Sequence, residues 1–382
     1  MNKVPKLRFR GFEGEWEENP LKNFFTKVTT KNTSLEYTTV LTNSAELGVI
    51  PQSDYFTFEV ANSNSIGNYY IVQPDDFVYN PRVSVTAPVG PIKQNKLGYT
   101  GVMSPLYLVF KISDINKAFL SYYFETSNWH QFMRLSGNSG ARFDRISMSD
   151  DTFVQMPIKV PSLPEQSRIA SYFTHLDTLI EASRQKVEKY KQVKAASLQA
   201  LFPQNGERVP KLRFKGFEGE WKKVELGDVL LINSGRDYKH LKEGNIPVYG
   251  TGGYMLSVNK SLSSVDAIGI GRKGTIDRPQ YLKAPFWTVD TLFYLTAKRK
   301  DNLRFLFALA QNIDWKRYDE STGVPSLSKS NIETITFQIP SLSEQRLIAQ
   351  YFTNLNSLLS LEQQRYEKLQ QVKRASLSQM FV

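Results

Sequence analysis

Apolar residues recur three and four positions apart along two stretches of the chain. The first stripe is Ile169, Tyr172, Phe173, Leu176, Leu179, Ile180, Val187, Tyr190, Val193 and Leu201; the second is Ile348, Phe352, Leu355, Leu359, Tyr366, Leu369, Val372 and Met380. That spacing lays one apolar seam along a helix. Both stretches open Pro-Ser-Leu-x-Glu, so Ser162 and Ser341 stand three residues before Glu165 and Glu344 in capping-box order. Each pattern predicts about 35 helical residues, about 52 Å at 1.5 Å per residue, longer than the common globular helix. One such stripe alone is most simply an amphipathic helix on its own domain's core. Two matched stripes of this length are most simply satisfied by each other, as an antiparallel coiled coil about a pseudo-twofold axis. Lys186, Lys189, Lys191 and Lys194 then fall largely on outer faces.

The two stripes belong to a repeat. Pro161 to Phe202 aligns without a gap to Pro340 to Phe381, with 22 identities in 42 positions. A second repeat, VPKLRFRGFEGEW from Val4 to Trp16, recurs as VPKLRFKGFEGEW from Val209 to Trp221 and differs only at Arg10 versus Lys215. The offsets are 205 (209 minus 4) and 179 (340 minus 161), so the segments enclosed by the repeats differ in length by 26 residues. The chain therefore reads lead-in, insert, helix, lead-in, insert, helix. Its expected divisions are 1–157 for the first insert with its lead-in, 158–204 for the first spacer helix, 205–336 for the second insert with its lead-in, and 337–382 for the second spacer helix.

The inserts read as mixed α/β domains that share a plan. Apolar runs at Ser104 to Ser113 and Pro285 to Lys298 have strand character, and helix candidates follow at Asn116 to Leu135 and Asn302 to Asn312. Each insert closes with a polar glycine-containing loop, Ser136 to Ser147 and Ser321 to Asn331. The expected fold is thus two copies of a mixed α/β (α+β) domain joined by two long helices that form an antiparallel coiled coil, with a pseudo-twofold internal repeat.

Composition narrows the classes. Of 382 residues, 41% are apolar and 13% aromatic, enough for two or three cores. The chain has no cysteine, which excludes disulfides and thiolate metal sites. Neither an apolar leader nor an apolar run of about eighteen residues is present, so a cytoplasmic protein without membrane contact is expected. The net charge of +11 favours polyanionic partners, but it is unevenly spread: −2 over Glu17 to Pro157, +5 over Lys222 to Thr336 and +8 over the remainder. Any anion-binding face of the first insert must therefore be local.

Candidate catalytic groups fail one by one. His130, His175 and His240 are scattered, with no second ligand at metal spacing. Gly269 to Gly274 fits G-x-G-x-x-G, but the residues after it, Thr275 to Pro279, do not open the helix that would hold a pyrophosphate. No phosphate loop of the G-x-x-x-x-G-K-[ST] type occurs. Asn80-Pro81-Arg82 lacks the second proline and the aromatic with which adenine-N6 methyltransferases hold a flipped base. A non-catalytic chain with no cofactor or metal of its own is expected.

Other residues suit nucleic acid. Gly271-Arg272-Lys273-Gly274 lifts two cations on a turn after the apolar strand Ala267 to Ile270. Tyr249 and Tyr254 flank a glycine-rich loop, Lys316 and Arg317 form a further basic cluster, and Ser326 and Ser328 lie in the closing loop. The first insert offers Asn80 and Arg82, and Asn138, Ser139, Arg142 and Arg145 in its closing loop. Arg, Asn and Ser reach guanine, adenine and phosphate edges. Taken singly, each cluster is more often solvated surface.

This arrangement resembles the DNA specificity subunit of type I restriction-modification systems, over essentially the whole chain. The carrying motifs are Glu-Trp before each insert (Glu15-Trp16, Glu220-Trp221), the Arg-Lys-Gly turn at Arg272 to Gly274, and Ile-Pro-Ser-Leu-x-Glu-Gln at Ile339 to Gln345. The first copy departs with Val160 before Pro161, and the first insert has Asn-Pro-Arg in place of Arg-Lys-Gly. The resemblance implies that each insert is a target recognition domain reading half of a split, asymmetric site on double-stranded DNA. It implies that the helices set the gap and dock two methyltransferase subunits, with Glu165, Gln166, Leu176, Tyr190, Glu344, Gln345, Leu355 and Leu369 as spacer and docking positions. It implies further that restriction subunits complete an endonuclease. S-adenosylmethionine, ATP and Mg then belong to the partners. The alternatives are a stand-alone DNA-binding scaffold without a methyltransferase and, last, an enzyme in its own right.

Overall fold

A computed structural model describes residues 3–55, 66–138, 144–204, 206–298 and 300–382. Two compact units emerge, Met1–Ala182 with Tyr366–Val382, and Ser183–Arg365. Each holds one insert and portions of both long helices.

The first unit is built on a four-stranded antiparallel sheet in the order Phe25–Lys27, Leu108–Ile112, Phe77–Tyr79, Ile92–Gln94. Phe77 and Phe110 are fully buried and stack in its core with centroids 5.7 Å apart. Two further pairs, Leu41–Ser44 with Gly48–Pro51 and Tyr70–Val72 with Gly101–Met103, extend the strand content. The helical run expected at 116–135 is instead two helices, Lys117–Tyr123 and His130–Ser136. Thr126 lies between them and donates from Oγ1 to the Tyr123 carbonyl at 2.7 Å, a side-chain competitor for helical backbone bonds.

The second unit repeats the sheet order with Leu230–Ser234, Leu292–Ala297, Ala267–Gly271 and Gln280–Leu282, again antiparallel throughout. It adds a three-stranded sheet of Gly253–Val258, Glu243–Gly250 and Trp287–Thr288 with its own small core around Val248, Phe286 and Leu292. The expected helix appears as Leu303–Asn312, and the Asn302 side chain accepts from the Arg304 and Phe305 N–H groups as its N-cap.

Each insert is closed where it began. Glu17–Pro20 pairs with Pro157–Val160, Glu17 opposite Val160, and Lys222–Glu225 pairs with Thr336–Ile339, Lys222 opposite Ile339. Directly after these closing strands come the spacer helices Leu163–Leu201 and Leu342–Met380, 39 residues each. Within the first unit the early part of the first helix lies antiparallel to the end of the second: Tyr172 Oη and Ser376 Oγ are 3.0 Å apart. Within the second unit Ser197 Oγ and Tyr351 Oη are 2.7 Å apart. Tyr351 is the repeat counterpart of Tyr172, and Ser376 of Ser197, so one hydrogen bond is written twice with the helices exchanged. Phe173 and Leu176 share a core with Met380 and Phe381 in one unit, as Ile348 and Phe352 do with Leu201 and Phe202 in the other.

The duplicated lead-in clips these helix ends together. Arg8 meets Glu165 side-on, Nε to Oε1 and Nη2 to Oε2, both at 2.8 Å, and donates from Nη1 to the Gly14 carbonyl at 2.6 Å. Its neighbour Leu7 donates its N–H to the Gln379 carbonyl at 3.0 Å, near the end of the other helix, where carbonyls lack intrahelical partners. In the second unit Arg213 binds Glu344 the same way, and Leu212 donates to the Ala200 carbonyl at 2.8 Å. Trp16 and Trp221 then bury against Phe119 and Phe381, and against Phe202 and Phe305. This corrects the capping-box expectation. Ser341 does accept from the Glu344 N–H at 3.4 Å, but both glutamates turn to arginine instead of back to the cap. A bidentate guanidinium is the stronger partner.

Candidate nucleic-acid interface

In the first unit the strand Phe77–Tyr79 runs out through Asn80 and Pro81 to Arg82, which forms an isolated antiparallel bridge with Arg145. The Ile146 N–H donates to the Pro81 carbonyl at 3.0 Å and the Val83 N–H to the Asp144 carbonyl at 2.9 Å. Two guanidinium groups thereby share one carboxylate: Arg82 Nε and Arg145 Nε lie 3.6 and 4.0 Å from Asp144 Oδ2. Exposed pairs at such distances contribute little, so both cations remain open to an arriving anion. They border a cleft of about 320 Å³ with Thr42, Asn43 and Ser44. Asn43 donates to the Val78 and Pro91 carbonyls at 2.8 and 3.1 Å, while its buried Oδ1 has no partner among the described residues. Arg145 also lines an adjoining cleft of about 510 Å³ with Tyr70, Tyr79 and Tyr107. At that cleft Lys27 is held protonated by its hydrogen bond to Asp150.

The second unit makes the corresponding site. Ala267–Gly271 leads to Arg272 and Lys273, and Lys273 bridges to Ser326. The Leu327 N–H donates to the Arg272 carbonyl at 2.9 Å and the Gly274 N–H to the Pro325 carbonyl at 2.8 Å. Both glycines are required. A Cβ on Gly271 would stand 2.0 Å from the Thr275 carbonyl oxygen, and Gly274 has φ of +92°. A cleft of about 710 Å³ opens here, lined by Arg272, Lys273, Thr291, Ser326, Ser328 and Lys329 among others. Arg272 is exposed; its guanidinium lies 5.9 Å from the Phe293 ring centre and reaches the Asp290 carbonyl only at 3.5 Å. Ser328 donates to Glu320 at 3.0 Å.

A model of the type I restriction modification DNA specificity domain matches the chain twice, over residues 13–191 and 218–371. The chain belongs to this family. Its fold is similar to that of the type I restriction-modification S subunit from M. genitalium, at 15% identity over 99% of both chains with a TM-score of 0.69. A second likeness is to a chain from a structure described as the structural basis underlying complex assembly and conformational transition of the type I R-M system. There the identity is 13%, coverage 96% of this chain and 97% of that one, and the TM-score 0.53. At these identities the likeness speaks for the fold.

The two clefts correspond in topology, each at the end of the third strand of its unit's four-stranded sheet. The Arg82–Arg145 bridge occupies the place of the Lys273–Ser326 bridge, so Arg82 corresponds in position to Lys273 although Asn-Pro-Arg replaces Arg-Lys-Gly. Not every expected residue gathers at a cleft. Asn80 lines one, but its amide is used to hold the turn: Nδ2 donates to the Asn43 carbonyl at 3.1 Å and Oδ1 accepts from the Arg82 N–H at 3.0 Å. Asn138 pairs with Ser147 within the closing loop, and Ser139 and Arg142 lie outside the described residues. Tyr249 and Tyr254 face each other across a hairpin, 6.5 Å apart, away from the Arg272 cleft lining. Lys316 is drawn 3.0 Å from Asp277, whose pKa that bond lowers, and Arg317 follows it in the short helix Trp315–Tyr318.

The helix positions also sort themselves. Glu165, Gln166, Glu344 and Gln345 are all under 5% exposed and are occupied inside the chain. Gln166 accepts from the Asn116 N–H and Gln345 from the Asn302 N–H, both at 2.9 Å, tying each helix start to its insert's helix. These four side chains act inside the chain, tying the spacer helices to their inserts. Leu176 and Leu355 are buried, while Tyr190 and Leu369 are half-buried. Sequence reasoning missed Asn43 and its neighbours. They lie on the strand Leu41-Thr42-Asn43-Ser44, which is buried along its length although three of its four residues are polar, so its composition pointed to surface.

Proposed function

We propose that the chain is a non-catalytic specificity subunit in which each unit reads one half of a bipartite, asymmetric double-stranded DNA site. The observation that carries this reading is the pair of clefts at the end of the same central strand in each unit, alike in backbone and unlike in side chains. One presents Arg82 and Arg145; the other presents Arg272, Lys273, Ser326 and Ser328. Matching backbones favour matching approach to a duplex, and unlike side chains favour unlike base sequences. The paired spacer helices set the gap between half-sites. Their exposed faces dock two copies of an adenine methyltransferase, because a repeated surface binds a repeated partner. Restriction subunits join through that complex, S-adenosylmethionine, ATP and Mg act in the partners, and the assembly works in the cytoplasm.

Co-expression with a candidate adenine methyltransferase, followed by methylome sequencing, tests the reading. A stable complex and methylation at one gapped, asymmetric sequence are expected. Failure of both would leave a stand-alone DNA-binding scaffold.

A further inference from the structure

The repeat places one lysine at the same point of each spacer helix, Lys194 and Lys373, 179 residues apart (373 minus 194). Their surroundings differ. In the first unit Lys373 Nζ lies 2.7 Å from Asp177 Oδ1 and 2.9 Å from Glu125 Oε2, and 5.3 Å from the centre of the Tyr122 ring. Tyr122 donates to Asp177 at 2.8 Å. Burial by itself would lower the Lys373 pKa, but the two carboxylates outweigh it and the pKa is raised.

In the second unit both carboxylates are gone. Asn356 stands where the repeat has Asp177, and Gln311, nine residues after the capping Asn302, stands where Glu125 follows the capping Asn116. Lys194, expected on an outer face, is half-buried and has no hydrogen bond or ion pair among the described residues; burial lowers its pKa. It lines an open pocket of about 620 Å³ with Arg304, Gln311, Asn356, Ser357 and Leu361 among others, and no Asp or Glu lines that pocket. Arg304 is held 4.7 Å from the centre of the Tyr281 ring. At the pocket Leu361 is 64% exposed, where the first copy has Ala182, and Leu358 nearby is 47% exposed.

We infer that this pocket receives an Asp or Glu side chain of the methyltransferase copy docked on the second unit, supplying to Lys194 the counter-charge that Asp177 and Glu125 supply to Lys373. The inference rests on the docking reading above. A half-buried ammonium without a counter-ion is costly, and a carboxylate with good geometry offsets that cost. The exposed leucines beside the cation fit a protein surface better than a free anion, which gains nothing from them. In the first unit Lys373 already has two carboxylates of its own, so the two docked copies are gripped unequally.

The test supplies the missing acids from within the chain. The double variant Asn356→Asp with Gln311→Glu, full length, is titrated with purified methyltransferase by calorimetry and native mass spectrometry. Wild type is expected to bind two copies, and the variant to bind one unchanged and the other at least tenfold more weakly, with Tm no lower than wild type. Lys194→Met, which keeps the stem without the charge, is expected to weaken the same copy, so a misfolded double variant still leaves an answer. Two copies bound as in wild type by a folded variant overturn the inference. So does an unchanged two-copy complex with weakened binding of a DNA duplex, which would make the occupant a phosphate. Wild type binding no methyltransferase overturns the docking reading, and this inference with it.

Discussion

Arg213 and Glu344 meet with both guanidinium-to-carboxylate distances at 2.8 Å, and the carboxylate side chain is 1% exposed. The same thirteen-residue segment delivers Arg8 to Glu165, 2% exposed, in the other unit. Removing one partner leaves a buried charge without compensation, a loss of about 3–5 kcal/mol. Arg213→Ala should therefore lower the denaturation midpoint of the second unit selectively, and Arg8→Ala that of the first. Denaturation followed by hydrogen exchange in each unit reads the difference; equal loss in both units for either variant would contradict the account.

Arg272→Ala should weaken recognition of one half-site by about 1–3 kcal/mol if the contact is a bidentate base contact. Arg82→Ala should act on the other half-site. Competition binding against duplexes altered in one half at a time separates the two, and a uniform loss on unrelated DNA would reassign the residue to a phosphate contact.

Gly271→Ala should disable the Arg272 turn without touching a cation. Its Cβ would overlap the Thr275 carbonyl oxygen at 2.0 Å, so the turn must shift. Half-site binding is expected to fall as far as in Arg272→Ala or further, while the first unit's half-site preference is kept. Wild-type binding would show that the turn does not position the arginine.

Four residues inserted after Lys189 lengthen the first helix by about 6 Å. They also break the register that brings Ser197 to Tyr351. The tolerated gap between half-sites should change or binding should disappear, as methylome sequencing would report; an unaltered gap would contradict the proposal that the helices set it.

The raised pKa of Lys373 predicts an alkaline signature. The folded value lies above the unfolded one, so this stabilisation is complete below the unfolded value of about 10.4 and is lost as pH rises through the folded pKa. The stability difference between wild type and Lys373→Met, from urea denaturation, should be level through neutral pH and shrink in that alkaline window. A difference that grows there would reverse the sign.

Much of the architecture was legible because it rests on periodicity and repetition. The seam residues Phe173, Leu176 and Phe352 could be read as helix interiors, and Gly271-Arg272-Lys273-Gly274 as a turn, from local pattern alone. What stayed hidden depends on residues distant in sequence. Nothing near Arg8 announces Glu165, so the repeated lead-in gave its existence away but not its use. The 320 Å³ cleft draws Asn43, Asn80 and Arg145 from three separate segments. Lys194 looked like its solvated neighbours because the loss of its acids lies far off, at Gln311 and Asn356.

The hydrogen bond from Leu7 to the Gln379 carbonyl does without a covalent link what the stretch from Ala200 to Leu212 does with one. Each joins a helix end to a lead-in by the same contact. A circular permutant opened between Phe202 and Arg208, with Val382 tethered to Lys3 by a short linker, should therefore keep every contact described within each unit. It would simply begin its translation with the other half of the message.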